Sequence, residues 1–162
     1  MLNLDHFCPW VANAVGFKNR KFFILFCFYG MLTSAFAAIT LGPHAIAVDR
    51  QDGENDSVGR AFLLMAFIMD VTFAIALSLF SMGHFYLAYY NQTSLEDYQA
   101  SKRYDCGWRS NLCSVFGNDS RLWLLPTHYG GLFGDGVHWR LNDGSWDGQA
   151  EKENADDTAT KI

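Results

Sequence analysis

Charge is scarce in this chain. Only 18% of its 162 residues are charged, and 12 basic side chains are outnumbered by 17 acidic ones, for a net charge of −5. That balance, with no basic face, argues against nucleic acid as a partner. There is no glycine-rich phosphate loop to cradle a nucleotide and no internal repeat to build a solenoid or propeller. A recognised zinc spacing is also missing among the later cysteines: Cys106 and Cys113, with His128 beyond, do not form one and read as ordinary thiols. Charge is absent altogether from Phe22 to about Leu41, and from about Ala61 to Tyr90 the one charged residue is Asp70.

What fills the space left by charge is apolar. Half of the residues are hydrophobic and 16% are aromatic, and two apolar blocks averaged with polar ends bring the mean hydropathy near zero. Each block is long enough to cross a hydrocarbon core about 30 Å thick, which a buried helix of a soluble domain seldom needs. A secretory leader, with Phe22 to Leu32 as its apolar core and Ala35-Phe36-Ala37 as its cleavage site, fits less well. The polar segment before it is long, the apolar run continues past the cleavage site, and a second span follows. The expected fold is an all-α membrane protein with two transmembrane helices in a hairpin, at 22–42 and 61–90, joined by a loop at 43–60. Lys18, Arg20 and Lys21 precede the first span, and Lys102, Arg103 and Arg109 follow the second. The loop carries only Arg50 and Arg60 among four acids. By the positive-inside rule both terminal segments are cytosolic and the loop luminal or extracellular. In that reducing compartment Cys8, Cys27, Cys106 and Cys113 read as free thiols. Residues 91–147 form a C-terminal region, irregular and surface-lying from 118, with turns at Asn142-Asp143-Gly144 and Asp147-Gly148; 148–162 read as a disordered tail.

The chemistry concentrates just before the first span, at Asp5-His6-Phe7-Cys8. A carboxylate can hold an imidazole in one tautomer, the imidazole can take a thiol proton, and the thiolate can attack an acyl donor. The short connection to Phe22 puts Cys8 near the cytosolic bilayer face, where a long-chain thioester can leave its tail in hydrocarbon. Pro9 turns the chain after the nucleophile. Trp10 suits an interfacial anchor or a contact to the acyl chain.

The stretch Asp5 to Phe23, with Asp5, His6, Cys8, Pro9, Trp10, Asn13, Gly16, Asn19 and Phe23, resembles the signature of DHHC-type protein S-acyltransferases, or palmitoyltransferases. Asn91-Gln92-Thr93-Ser94-Leu95-Glu96 is similar to the family's Asn-x-Thr-Thr-x-Glu. Tyr104-Asp105-Cys106-Gly107, Asn111 and Val115-Phe116-Gly117 are similar to its C-terminal palmitoyltransferase motif, and Gly134-Asp135-Gly136 to its tail. The resemblance makes residues 1–21 the C-terminal part of the DHHC catalytic domain. It implies two-step transfer: Cys8, deprotonated by His6 with Asp5 orienting the ring, takes the acyl group of palmitoyl-CoA and passes it to a cysteine of a membrane-associated protein. Trp10, Asn13, Thr93, Ser94, Glu96 and Asn111 would support the site. A hydroxyl of the Thr93-Ser94 pair could hydrogen-bond Asp5, and Asn111 and Phe116 would fold the C-terminal segment back. The chain would sit in an endomembrane (Golgi or endoplasmic reticulum) or the plasma membrane.

Two departures accompany the resemblance. Phe7 and Ala14 stand where the family has two ligands of one structural zinc, which reads as loss of that metal site in favour of apolar packing. Zinc would enter only through an upstream cysteine-rich part, and two further spans would precede that part. The chain is then either a fragment or mis-started form of a four-span enzyme, or a two-span remnant. The alternative function is a non-catalytic membrane scaffold derived from the family.

Overall fold

The computed structural model describes residues 3–48, 57–127 and 137–147. It begins with strand β1 (His6–Cys8) paired to β2 (Asn13–Val15) in a small antiparallel ribbon. Pro9 ends the first strand, and the turn closes with Ala12 N–H donating to the Pro9 carbonyl at 3.3 Å, Ala12 taking the left-handed φ of 47°. Asn19 fixes the exit from the ribbon. Its Oδ1 accepts from Gly16 N–H and its Nδ2 donates to the Ala14 carbonyl, both at 2.8 Å. Helix α1 (Arg20–Val48) starts at the next residue.

Helices α1 and α2 (Ser57–Tyr89) have 29 and 33 residues, about 43 and 50 Å at 1.5 Å per residue, more than a bilayer's hydrocarbon requires. The sequence reading closes the first span at 42, where the charge-free apolar run ends, but α1 runs on through Pro43 to Val48. A proline in an apolar helix forfeits one hydrogen bond, and spanning helices tolerate that loss. The expected loop is correspondingly shorter, and its residues 49–56 lie outside those described.

Residues 24–83 form one unit. A Cβ added at Gly30 would lie 3.1 Å from Leu77 and one at Gly42 3.4 Å from Phe67, so α1 and α2 run side by side and antiparallel. Phe26, Phe36 and Ile39 of α1, and Phe62, Met65, Ile68 and Leu79 of α2, stay exposed. Apolar side chains left outward along two such helices suit lipid rather than water. Two threonine hydroxyls bond back to their own turns, Thr33 to the Tyr29 carbonyl at 2.9 Å and Thr72 to that of Ile68 at 2.8 Å, which satisfies them without an external partner. The fold is that of a helical membrane protein with two helices able to span, carrying in addition the ribbon that composition did not announce.

The described residues before 24 and after 83 form the second unit. Here α3 (Ser94–Tyr98), α4 (Trp108–Phe116) and a 3-10 turn at Ser120–Leu122 surround a core that includes Val15, Phe17, Leu87, Ala88, Val115, Phe116 and Leu141. Phe85 stacks on Phe116 at 5.8 Å, and Phe17 meets Trp139 edge to face at 5.3 Å. The segment 137–147, read from the sequence as surface-lying, is thus anchored at Trp139 and Leu141 around a turn whose Gly144 has φ 90°. Gly134-Asp135-Gly136, His128 and the tail 148–162 lie outside the described residues.

Candidate active site

The spacing of Asp5-His6-Phe7-Cys8 acquires its meaning from the ribbon. Side chains alternate along a strand, so His6 and Cys8 share one face of β1 and Phe7 takes the other. Burial follows this pattern, with Cys8 only 4% exposed against 68% for Phe7. His6 Nδ1 donates to Asp5 Oδ2 at 2.6 Å, and the Asp5 carboxylate is buried. This bond places the proton on Nδ1 and leaves Nε2 as an acceptor. Nε2 is itself buried and without a hydrogen-bond partner.

Asp5 is held from the far side of the sequence. Ser94 N–H donates to Oδ1 at 2.6 Å, and the Ser94 hydroxyl to Oδ2 at 3.3 Å. The short helix that offers this N–H is fixed by a capping box: Thr93 N–H and hydroxyl donate to Glu96 Oε2 at 2.7 and 2.9 Å, and Glu96 N–H returns to the Thr93 hydroxyl at 3.3 Å. Burial pushes the Asp5 carboxyl upward. The Ser94 N–H, the His6 ring, the Arg20 charge and the Ser94 hydroxyl outweigh it and hold Asp5 below the usual carboxylate range.

Arg20 and Lys21 read from the sequence as flanking charges that set orientation. Both are buried: the Arg20 guanidinium donates to the Gln92 carbonyl, 72 positions away, and Lys21 Nζ donates to the carbonyls of Leu122 and Thr127 at 2.8 Å each. Asn111 ties the C-terminal segment to the end of α2, its Nδ2 donating to the Tyr89 carbonyl and Asp105 Oδ1 at 2.7 Å and its Oδ1 accepting from Cys106 N–H at 3.0 Å. His84 is the site residue the sequence did not announce. Its ring lies 5.7 Å from that of His6, and only an isolated polar residue in an apolar run signalled it.

Of the predicted residues, His6 and Ser94 bond the Asp5 carboxylate, Thr93 and Glu96 cap the helix that presents Ser94, and Cys8 lies on the strand that carries His6. Asn13 pairs with Cys8 in the register, and its side-chain oxygen accepts from the N–H of its neighbour Ala14 at 2.8 Å. Trp10 stands at the turn, 87% exposed. Phe7 and Ala14 face each other as cross-strand partners, which explains why two ligands at these positions could share an ion. Neither side chain offers a donor atom to a metal ion, and Phe7, 68% exposed, leaves the pair outside any buried apolar packing.

These features define a helical membrane protein with an oriented imidazole and a buried thiol on one ribbon face. The family model described as DHHC palmitoyltransferase matches residues 1–101, and the chain belongs to that family. It is 37% identical to the probable protein S-acyltransferase 14 of Arabidopsis thaliana, over 78% of this chain and 43% of the relative. It is 36% identical to the probable protein S-acyltransferase 12 of the same plant, over 79% and 46%, and 32% identical to the human palmitoyltransferase ZDHHC2, over 78% and 36%. The chain spans less than half the length of these curated relatives.

Proposed function

We propose that this chain carries the acyl-transfer centre of a protein-cysteine S-palmitoyltransferase. The observation that supports this reading is the Asp5–His6 pair at 2.6 Å, locked by Ser94 and leaving His6 Nε2 as acceptor on the strand that bears Cys8. In the first step Nε2 takes the Cys8 proton and the thiolate attacks the thioester carbonyl of palmitoyl-CoA. The tetrahedral adduct then collapses, expelling the coenzyme A sulfur, which leaves with the proton from the imidazolium. In the second step an acceptor cysteine of a membrane-associated protein gives its proton to the same nitrogen, attacks acyl-Cys8 and restores the free thiol.

Further features bear on setting and partners. The excess of Lys and Arg outside the two spans supports a cytosolic site in an endomembrane or the plasma membrane. Exposed Trp10 suits the bilayer interface, where the acyl chain would lie. The absence of donor atoms at positions 7 and 14 instead favours the scaffold reading. Labelling with a clickable palmitate analogue separates the two: hydroxylamine-labile label that disappears in Cys8→Ser supports the transferase. No label, or label unchanged in Cys8→Ser, leaves the scaffold.

A further inference from the structure

Arg20 takes no part in the steps just described, yet it reaches both segments that meet at the Asp5 carboxylate. It follows Asn19, whose side chain fixes the exit of the ribbon, and its own N–H donates to the Gly16 carbonyl at 2.8 Å. Its guanidinium, 3% exposed, donates to the Gln92 carbonyl. Gln92 stands two residues before Ser94, whose N–H meets Asp5 Oδ1 at 2.6 Å. The other bonds of this turn lead away from the ribbon, from the Gln92 side chain to the Ser101 carbonyl and from Asn91 Nδ2 to the Tyr104 carbonyl at 3.1 Å. Packing alone does not account for an arginine here. A methionine would fill the place without burying a charge, and the arginine leaves its Nε buried without a hydrogen-bond partner. What offsets the burial is charge: Asp5 and Glu96 both act on the guanidinium, and the Arg20 charge acts back on Asp5.

We infer that Arg20 is a positioning residue for the transfer: it holds the Gln92–Ser94 turn against the exit of the ribbon and sets a positive charge in the field of Asp5, and so fixes the carboxylate that orients His6. The inference rests on the acyl-transfer reading. A guanidinium suits the task because it keeps its proton at any pH a protein meets and offers several donors in one rigid plane. The bond to Gln92 brings the Ser94 N–H to the carboxylate, and the charge favours the ionised form that accepts from Ser94 and His6. The groups acting on Asp5 are its neighbour His6, Arg20 of α1 and the two donors of Ser94 in α3; His84 of α2 lies in the same field, and Glu96 of α3 acts through Arg20.

The test compares wild type with Arg20→Met, Arg20→Gln, Arg20→Lys and Lys18→Met in lipid nanodiscs, with circular dichroism as the control for folding. Two quantities are read: the single-turnover rate of Cys8 acylation, and the NMR titration of the 13C-labelled Asp5 carboxyl without acyl-CoA. In Arg20→Met the Asp5 midpoint moves up by about 1 pH unit and acylation slows about 3–10-fold. Arg20→Gln, which retains a donor for the Gln92 carbonyl but no charge, shows the same upward shift and decides the matter should the methionine variant fail to fold. Arg20→Lys keeps the charge and leaves the midpoint within about 0.3 unit of wild type. Lys18→Met removes an exposed cation two positions away and changes neither quantity. An unmoved Asp5 midpoint in a folded Arg20→Met or Arg20→Gln overturns the inference, also when acylation drops, since that pattern belongs to packing alone. So does a shift of equal size in Lys18→Met, which would make the effect one of net charge. The titration needs no turnover, so failure of Cys8 to acylate sinks the proposed function while the Asp5 midpoint still decides the role of Arg20.

Discussion

Ser94→Pro isolates the bond that anchors the carboxylate. Ser94 is the first residue of α3 after the Thr93 cap, the one helical position where proline is welcome because its N–H makes no intrahelical bond. Thr93 already has φ −86° and ψ 164°, the extended geometry a following proline demands. The substitution therefore spares the helix and deletes both donors to Asp5. A hydrogen bond to a charged group contributes about 1.5–3 kcal/mol, and the N–H bond at 2.6 Å is the stronger of the two. If the whole loss reaches the transition state through a misdirected His6, single-turnover acylation of Cys8 slows about 10–100-fold. Ser94→Ala removes only the hydroxyl contact to the same carboxylate, which at 3.3 Å is long and weak, and costs about 2–3-fold. The assay is quenched-flow transfer from a fluorescent acyl-CoA to the chain in nanodiscs, with circular dichroism as the control for folding. Wild-type rates in a folded Ser94→Pro would refute the anchoring role, and an Ala variant as slow as Pro would assign it to the hydroxyl.

Three other outcomes are expected. Asp5, depressed below the usual carboxylate range, contributes stability that is fully present above about pH 4 and lost as pH falls through its folded value; Asp5→Asn flattens the acid arm of a stability-against-pH curve measured by thermal unfolding. Asn111→Ala strands the Tyr89 carbonyl and Asp105 at a site only 1% exposed and destabilises by about 2–4 kcal/mol, whereas Asn13→Ala at the surface changes the same melt by less than about 0.5 kcal/mol. Burial pushes the Cys106 thiol up, Arg140 pulls it down and Asp105 adds to the rise, leaving it above the ordinary value. Its alkylation by iodoacetamide at pH 8 runs slower than that of a free cysteine peptide, and mass spectrometry of the modified chain reads this directly.

The Asp5–His6 pair beside Cys8 was legible because Asp, His and Cys lie within four positions, and the spans because charge vanishes over two long runs. The ribbon was not legible: strands of three residues are too short to show a period of two, and only the register reveals that positions 7 and 14 are partners. Thr93 and Glu96 were recognised as a motif, though their spacing is that of a capping box whose first helical N–H serves Asp5. Arg20 and Lys21 have a second role that the sequence did not announce. Adjacent cations at the start of an apolar helix read as flanking charge, and their carbonyl partners lie 72 to 106 positions away. His84 stayed hidden because a single imidazole in an apolar run has no pattern to belong to.

The tethers of Asp5 and Lys21 impose an order of events during synthesis. Cys8 and His6 leave the ribosome well before either helix is complete, but the Asp5 carboxylate beside them has no Ser94 anchor until that residue has followed, and Lys21 lacks its Leu122 and Thr127 acceptors until those have been added. A nascent chain stopped after α2 thus displays a thiol and a base that are not yet aligned. The stretch translated after the second helix completes the bonds of the one before the first, and the arrangement around Asp5 can form only once both helices have been made.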